Sequence, residues 1–172
     1  MKKQRILHSA LAALVSYAVF GSLEPILSLR LGDYNVSQSS VGLIFAVQPG
    51  FYALGSFVTA AIIPKRVEYR VTMFIGLLLL AVATALIGPF YDEMDLPIMM
   101  VGLALSGFSV GLNCLPNMPE MIAATAINFK DYEEELAHNR LSGLLNAGFS
   151  GGQFLGPVLG AFLYQISDFV VC

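Results

Sequence analysis

Five apolar stretches, each long enough to cross a bilayer as a helix, make up most of the chain. A helix needs about 20 apolar residues to cross the hydrocarbon layer. Only 12% of the 172 residues are charged, whereas soluble domains carry about 25%. The predicted spans are Ile6–Leu31, Ser39–Ile63, Val71–Tyr91, Leu96–Ile122 and Leu141–Ile166. The sequence therefore predicts an all-α, polytopic membrane helix bundle that forms one domain over residues 1–172.

Basic residues fall on one side of the predicted bundle. Lysine and arginine near the ends of spans are retained on the cytoplasmic side of a membrane. Eight of the nine lie before the first span, between the second and third, or between the fourth and fifth. We therefore expect a multi-pass protein with a cytoplasmic N-terminus. The polar residues 128–140 are predicted to form a cytoplasmic loop, as a solvated surface turn or a short interfacial helix.

The first span is unusual because it contains Glu24 followed by Pro25. A charged side chain near the middle of a membrane helix costs about 2.5–3.5 kcal/mol on insertion scales and usually faces a protein interior or a water-filled cavity. Proline removes one backbone donor, and the freed carbonyl is tolerated at this depth where neighbouring groups or cavity water satisfy it. The pair predicts that the first helix lines a cavity.

Further polar residues lie within the fourth and fifth spans. Asn113, Asn117 and Glu120 are spaced four and three residues apart, so they share one helix face. Asn146 lies in the fifth span. These four residues and Glu24 are the candidates for binding substrate or protons. Two alternatives stay open: Glu120 reaches water at the end of its span, and Asn146 makes a hydrogen bond between helices.

Small residues and prolines predict how the helices pack. In lipid, glycines four residues apart let helix backbones approach closely, and bent or broken helices are used by alternating-access transporters around midplane sites. The residues expected to pack or bend the helices are Pro25, Pro49, Gly50, Gly152, Gly156, Pro157 and Gly160.

Other function classes find no support in the sequence. The two histidines and two cysteines have no metal-ligand spacing, and neither a catalytic triad pattern nor a phosphate-binding glycine loop is present. Net charge is −3 and no basic tract occurs, which argues against a nucleic-acid partner. We therefore expect no enzyme activity, no metal and no cofactor.

Three segments together resemble a known family. They are Leu23-Glu24-Pro25, the Gly42–Gly55 span, and Gly152–Gly160 with its central Gly156-Pro157. These resemble the C-terminal half of vesicular amine transporters in the major facilitator superfamily, with the polyamine branch nearest. The resemblance implies transmembrane helices seven to eleven of a twelve-helix transporter, with helix twelve missing and a six-helix N-terminal half as the partner.

The resemblance also implies a function. Glu24 would be the cavity carboxylate of a proton-coupled exchanger of small organic cations, of the amine or polyamine class, in a vesicular, other endomembrane or plasma membrane. As a partial chain, the protein is not expected to transport alone. The alternative is a non-transporting membrane scaffold or regulatory subunit that docks a partner through its glycine strips.

Overall fold

The computed structural model consists of five α-helices, and it describes residues 2–33, 38–66, 68–87, 96–125 and 131–171. Every described residue except Glu68 is helical, which confirms the predicted all-α class. The helices are α1 (Lys2–Asp33), α2 (Gln38–Arg66), α3 (Tyr69–Ile87), α4 (Leu96–Thr125) and α5 (Asp131–Val171).

Four segments of the described helices are long and apolar enough to cross a membrane. They are Gln4–Ser28, Ser39–Ala61, Tyr69–Ile87 and Leu96–Thr125. Each lies within or close to one of the first four predicted spans. The fifth predicted span falls inside α5, and its crossing of the membrane stays a prediction. The predicted end of the third span, at residues 88–91, lies outside the described residues.

Residues 131–140 of the predicted cytoplasmic loop form the start of α5. The helix begins at Asp131 and continues without a break into the apolar segment, while residues 128–130 lie outside the described part. Residues 131–140 contain neither glycine nor proline, and most of them are good helix formers. The polar segment is therefore helical from Asp131 onward.

Helix α4 is the centre of the bundle. In its most apolar window 61% of the residues are buried, compared with 17–33% in the other three candidate spans. It packs against α1, α2 and α3, whereas α5 packs mainly against α1. Any site on α4 is therefore covered by α1, α2 or α3, and any site on α1 by α4 or α5.

Glycines bring the backbones together at the contact between α1 and α5. A Cβ atom on Gly152, Gly156 or Gly160 would collide with the backbone of α1 near Leu14, Ala18 and Ser22. Such close approach is how membrane helices gain contact area without a hydrophobic driving force between them. The glycine strip of α5 is therefore occupied by a helix of the same chain.

A second close contact joins α2 and α4. Cβ atoms on Gly107 and Gly111 would collide with the α2 backbone at Gln48 and Tyr52. Pro49 and Gly50, which were expected to pack or bend the bundle, are both exposed, and nothing lies within 4 Å of a Cβ placed on Gly50. They follow Gln48 by one and two residues, about 100° and 200° around the helix, and so they miss the face that contacts α4.

The remaining two prolines expected to bend helices lie inside continuous helices. Pro25 is within α1 and Pro157 within α5. A Cβ on Gly21 would be 3.3 Å from the ring of Pro157, so this ring packs directly onto α1. Pro157 therefore takes part in the α1–α5 contact, one turn away from Glu24.

Candidate functional site

The structure places Asn113, Asn117 and Glu120 on one face of α4, as their spacing predicts. Both asparagines are fully buried and Glu120 is only 5% exposed. The partners of Glu120 and Asn113 come from α1 and α3, which cover this face, and Asn117 donates to the carbonyl of Asn113 on α4 itself. The three residues therefore form a polar interior of the bundle and do not line an open surface.

Glu120 joins three helices through two arginines. Arg5 of α1 donates to Oε1 from Nη2 at 2.7 Å and from Nε at 2.9 Å, and Arg70 of α3 donates to the same oxygen from Nε at 3.0 Å. Arginine is well suited to such charge-assisted pairs with carboxylates. The alternative in which Glu120 reaches water at the end of its span is not what the structure shows. Glu120 is buried and paired with Arg5 and Arg70.

The two asparagines use their amide nitrogens but not their amide oxygens. Asn113 Nδ2 donates to the hydroxyl of Ser16 and to the carbonyl of Ala12 at 3.3 Å, and Asn117 Nδ2 donates to the carbonyl of Asn113 at 3.0 Å. Among the described residues, neither Oδ1 atom has a hydrogen-bond partner. A buried acceptor without a donor costs about 1–3 kcal/mol. These two oxygens therefore require a donor.

Glu24 lies far from this polar interior. It is exposed on α1, 19 residues beyond Arg5, which corresponds to about 28 Å along the helix axis. Ser16, the partner of Asn113, is eight residues from Glu24, or about 12 Å. The structure therefore does not bring Glu24 and Glu120 into one site.

An aromatic cluster lies on the same side of α1 as Glu24. Tyr17 and Phe20 precede Glu24 by seven and four residues, so all three share a helix face. The ring of Tyr17 is 4.5 Å from Phe149 of α5, and the ring of Phe20 is 6.3 Å from Tyr52 of α2, measured between centroids. All four aromatic side chains are partly exposed. We call these four residues the aromatic cluster.

The aromatic cluster was not predicted from the sequence, because its four residues come from three separate helices. Helical spacing on α1 could have linked Tyr17 and Phe20 to Glu24, but the rings from α2 and α5 are close only in the folded chain. All four aromatic side chains pack against a core cluster that includes Val110 and Cys114 of α4. The aromatic cluster therefore lies where α1, α2, α4 and α5 meet.

Asn146 belongs to the side of the aromatic cluster, not to the polar interior. It is exposed on α5 and precedes Phe149 by three residues, so the two share a face. The alternative was that Asn146 makes a hydrogen bond between helices, but the structure leaves its side chain exposed. Asn146 and Glu24 are therefore the two predicted site residues that flank the aromatic cluster.

The fold and these polar features define a polytopic membrane helix bundle with polar residues inside its spans. Residues 9–171 match the model of the Major Facilitator Superfamily, so the chain belongs to this superfamily of membrane transporters. Its membership confirms the predicted recognition and the prediction that the chain is not an enzyme.

The similar curated proteins are transporters of this superfamily. The chain is 35% identical over 152 residues to the human MFS-type transporter SLC18B1, an alignment that covers 85% of this chain and 33% of the relative. It is 33% identical over 152 residues to the mouse MFS-type transporter SLC18B1, with the same coverage. The chain therefore spans about a third of the length of these relatives. No solved structure matches the chain at a significant level.

Proposed function

We propose that this chain forms part of the transport path for small organic cations of the amine or polyamine class, with Glu24 as the carboxylate that binds the cation. The observation that carries this proposal is the position of Glu24, exposed on α1 next to the aromatic cluster. A carboxylate inside an apolar span is expected to face a cavity or a binding partner. An ammonium group is the ligand that supplies the missing positive charge.

The aromatic cluster supports a cationic ligand. A cation within about 6 Å of an aromatic ring centroid is attracted by the ring quadrupole, and the gain is about 0.5–2 kcal/mol. Tyr17 and Phe20 lie on the Glu24 face, and their rings approach those of Phe149 and Tyr52. A cation at Glu24 would have apolar and aromatic surface within one to two helical turns. Asn146 would contribute a polar contact from α5.

Proton exchange follows from the same carboxylate. We propose that a proton and a cation compete for the Glu24 carboxylate, so that binding of one displaces the other. This alternation is the chemical basis of the proton-coupled exchange that we propose.

Glu120 and the two asparagines receive a different role in this proposal. Glu120 is already neutralised by two arginines, and Asn113 and Asn117 are fully buried. We assign Glu120 to holding α1, α3 and α4 together. The cation path then follows the side of α1 that carries Glu24.

A complete path requires more helices than this chain supplies. The relatives are about three times as long as the matched segment. We propose that a six-helix N-terminal half completes the path, with the N-terminus of this chain in the cytoplasm and the path in a vesicular, other endomembrane or plasma membrane. The scaffold alternative depended on free glycine strips, but Gly152, Gly156 and Gly160 are occupied by α1. Transport is therefore the better supported function.

Equilibrium binding of labelled spermidine and of a labelled monoamine to the 172-residue chain in lipid nanodiscs tests the role of Glu24. The variant Glu24→Gln removes the charge with little change in size. A hydrogen bond to a charged group contributes about 1.5–3 kcal/mol, so we expect affinity to fall by roughly 10- to 100-fold. The matched control is Glu68→Gln, which neutralises an exposed acid outside the candidate spans and should leave binding unchanged.

Two results would contradict the proposal. One is a Glu24→Gln variant that binds both cations as tightly as the unmodified chain. The other is an unmodified, folded chain that binds neither cation, because the proposal places the cation site on its own helices. Competition by protons provides a further check, since lowering the pH should weaken cation binding in the unmodified chain and have much less effect on Glu24→Gln.

A further inference from the structure

The polar interior between α1 and α4 contains two amide oxygens that have no donor among the described residues. Ser16, Asn113 and Asn117 are all fully buried. Both amide nitrogens are used within the chain, and both amide oxygens are left without a partner among the described residues. The two oxygens belong to residues four apart on one helix face, where side chains are neighbours about 5–6 Å apart at Cβ.

Proline adds a further acceptor to the same region. Pro116 lies inside α4 and has no N–H group. The carbonyl of Leu112, four residues earlier, therefore lacks its intrahelical donor. In a membrane-spanning helix such a carbonyl is satisfied by a neighbouring group or by an ordered water. The interior thus requires a small ligand that donates hydrogen bonds.

Nearby charges select the kind of ligand. Three residues from Asn117, the single carboxylate of Glu120 is paired with the guanidinium groups of both Arg5 and Arg70. This surplus of positive charge repels a metal cation. In addition, the described residues contain no group of three or more His, Cys, Asp or Glu side chains that could hold one. Water is neutral and can donate to two acceptors at once.

We propose that Asn113 and Asn117 form a buried water site between α1 and α4, in which water donates to the two amide oxygens. The site lies on the side of Glu120 and is separate from the proposed cation site at Glu24. It stands on the hydrogen bonding of these residues alone and does not depend on what the protein transports.

Hydroxyl radicals produced by a pulse of X-rays in bound water oxidise side chains next to that water, even where bulk reagents do not reach. Met121 and Met99 are both buried in apolar clusters, at 0% and 4% exposure. They differ in position, because Met121 follows Asn117 by one helical turn, whereas Met99 precedes Asn113 by 14 residues, about 21 Å along α4. The experiment is X-ray labelling of the 172-residue chain in nanodiscs, with oxidation of each methionine followed by mass spectrometry. We expect Met121 to be oxidised at least five times faster than Met99.

The variant Asn117→Leu replaces the amide by an apolar side chain of similar size. It should lower oxidation of Met121 to the rate of Met99 and leave Met99 unchanged. Equal, slow oxidation of the two methionines in the unmodified chain would show a dry interior and overturn the proposal, whether or not the variant folds. A melting temperature that rises with sodium chloride but not with choline chloride, and only while Asn117 is present, would also overturn it, because a cation would then occupy the site.

Discussion

The substitution Glu120→Gln removes the negative charge that joins α1, α3 and α4 and leaves a side chain of nearly the same size. Arg5 donates to Glu120 Oε1 twice, at 2.7 and 2.9 Å, and is 31% exposed, whereas Arg70 donates once, at 3.0 Å, and is 59% exposed. Loss of the carboxylate therefore leaves two guanidinium groups facing each other. The arginines can recover part of their hydration because both reach solvent.

The exposure of each arginine sets the expected magnitude. Removing one partner of a fully buried pair costs about 3–5 kcal/mol, while exposed pairs contribute about 0–1 kcal/mol. Between these limits we expect a loss of about 2–3 kcal/mol for Glu120→Gln, since a hydrogen bond to a charged group contributes about 1.5–3 kcal/mol. Arg5→Gln should cost more than Arg70→Gln, which we expect to cost about 0–1 kcal/mol.

Thermal unfolding of the detergent-solubilised chain, followed by far-ultraviolet circular dichroism, measures this effect. With about 2–4 °C per kcal/mol for a chain of this length, the midpoint should fall by about 4–12 °C in Glu120→Gln. The matched control is Glu24→Gln, which neutralises an exposed carboxylate of the same chain and should change stability by less than about 0.5 kcal/mol. An unchanged midpoint in Glu120→Gln together with lost cation binding would refute this reasoning, because Glu120 would then be a ligand of the substrate.

Two further pairs of variants test the close helix contacts. Gly156→Ala places a Cβ against the backbone of Ala18, whereas Gly143→Ala on the same helix meets nothing within 4 Å; we expect a loss of about 1–3 kcal/mol for the first and a gain of up to about 1 kcal/mol for the second. Gly107→Ala should likewise destabilise the contact between α4 and α2, while Gly50→Ala, on the α2 face turned away from α4, should not. Equal unfolding midpoints within either pair would show that backbone approach does not determine packing there.

The helices were predictable from the sequence because a span in lipid must satisfy its own backbone hydrogen bonds. Apolar length is therefore a local property, and the four segments of the described helices that are long and apolar enough to cross a membrane overlap the first four predicted spans. The beginning of α5 was not predictable in this way. Helix propensity continues through the acidic residues from Asp131 onward, so the helix extends beyond the apolar stretch by which the span was recognised.

The shared face of Asn113, Asn117 and Glu120 was also predictable, because residue spacing fixes which side chains point the same way. What covers this face was not. Arg5 and Arg70 are separated from Glu120 by 115 and 50 residues, and no local pattern relates them. The aromatic cluster was not predictable for the same reason, since its rings come from three separate helices, α1, α2 and α5.

The two carboxylates within the apolar spans show why burial cost alone does not identify a binding residue. Glu24 and Glu120 both lie within predicted apolar spans, where burying a charge is costly, so both are candidates for a binding role. For Glu120 this cost is offset inside the chain, because Arg5 and Arg70 both pair with its carboxylate. A carboxylate that binds and releases a cation must lack such fixed partners, or the ligand would have to displace an arginine at every cycle. Glu24, exposed beside the aromatic cluster and about 28 Å along α1 from Arg5, meets this requirement. The distinction between the two residues therefore rests on where the arginines lie in the fold.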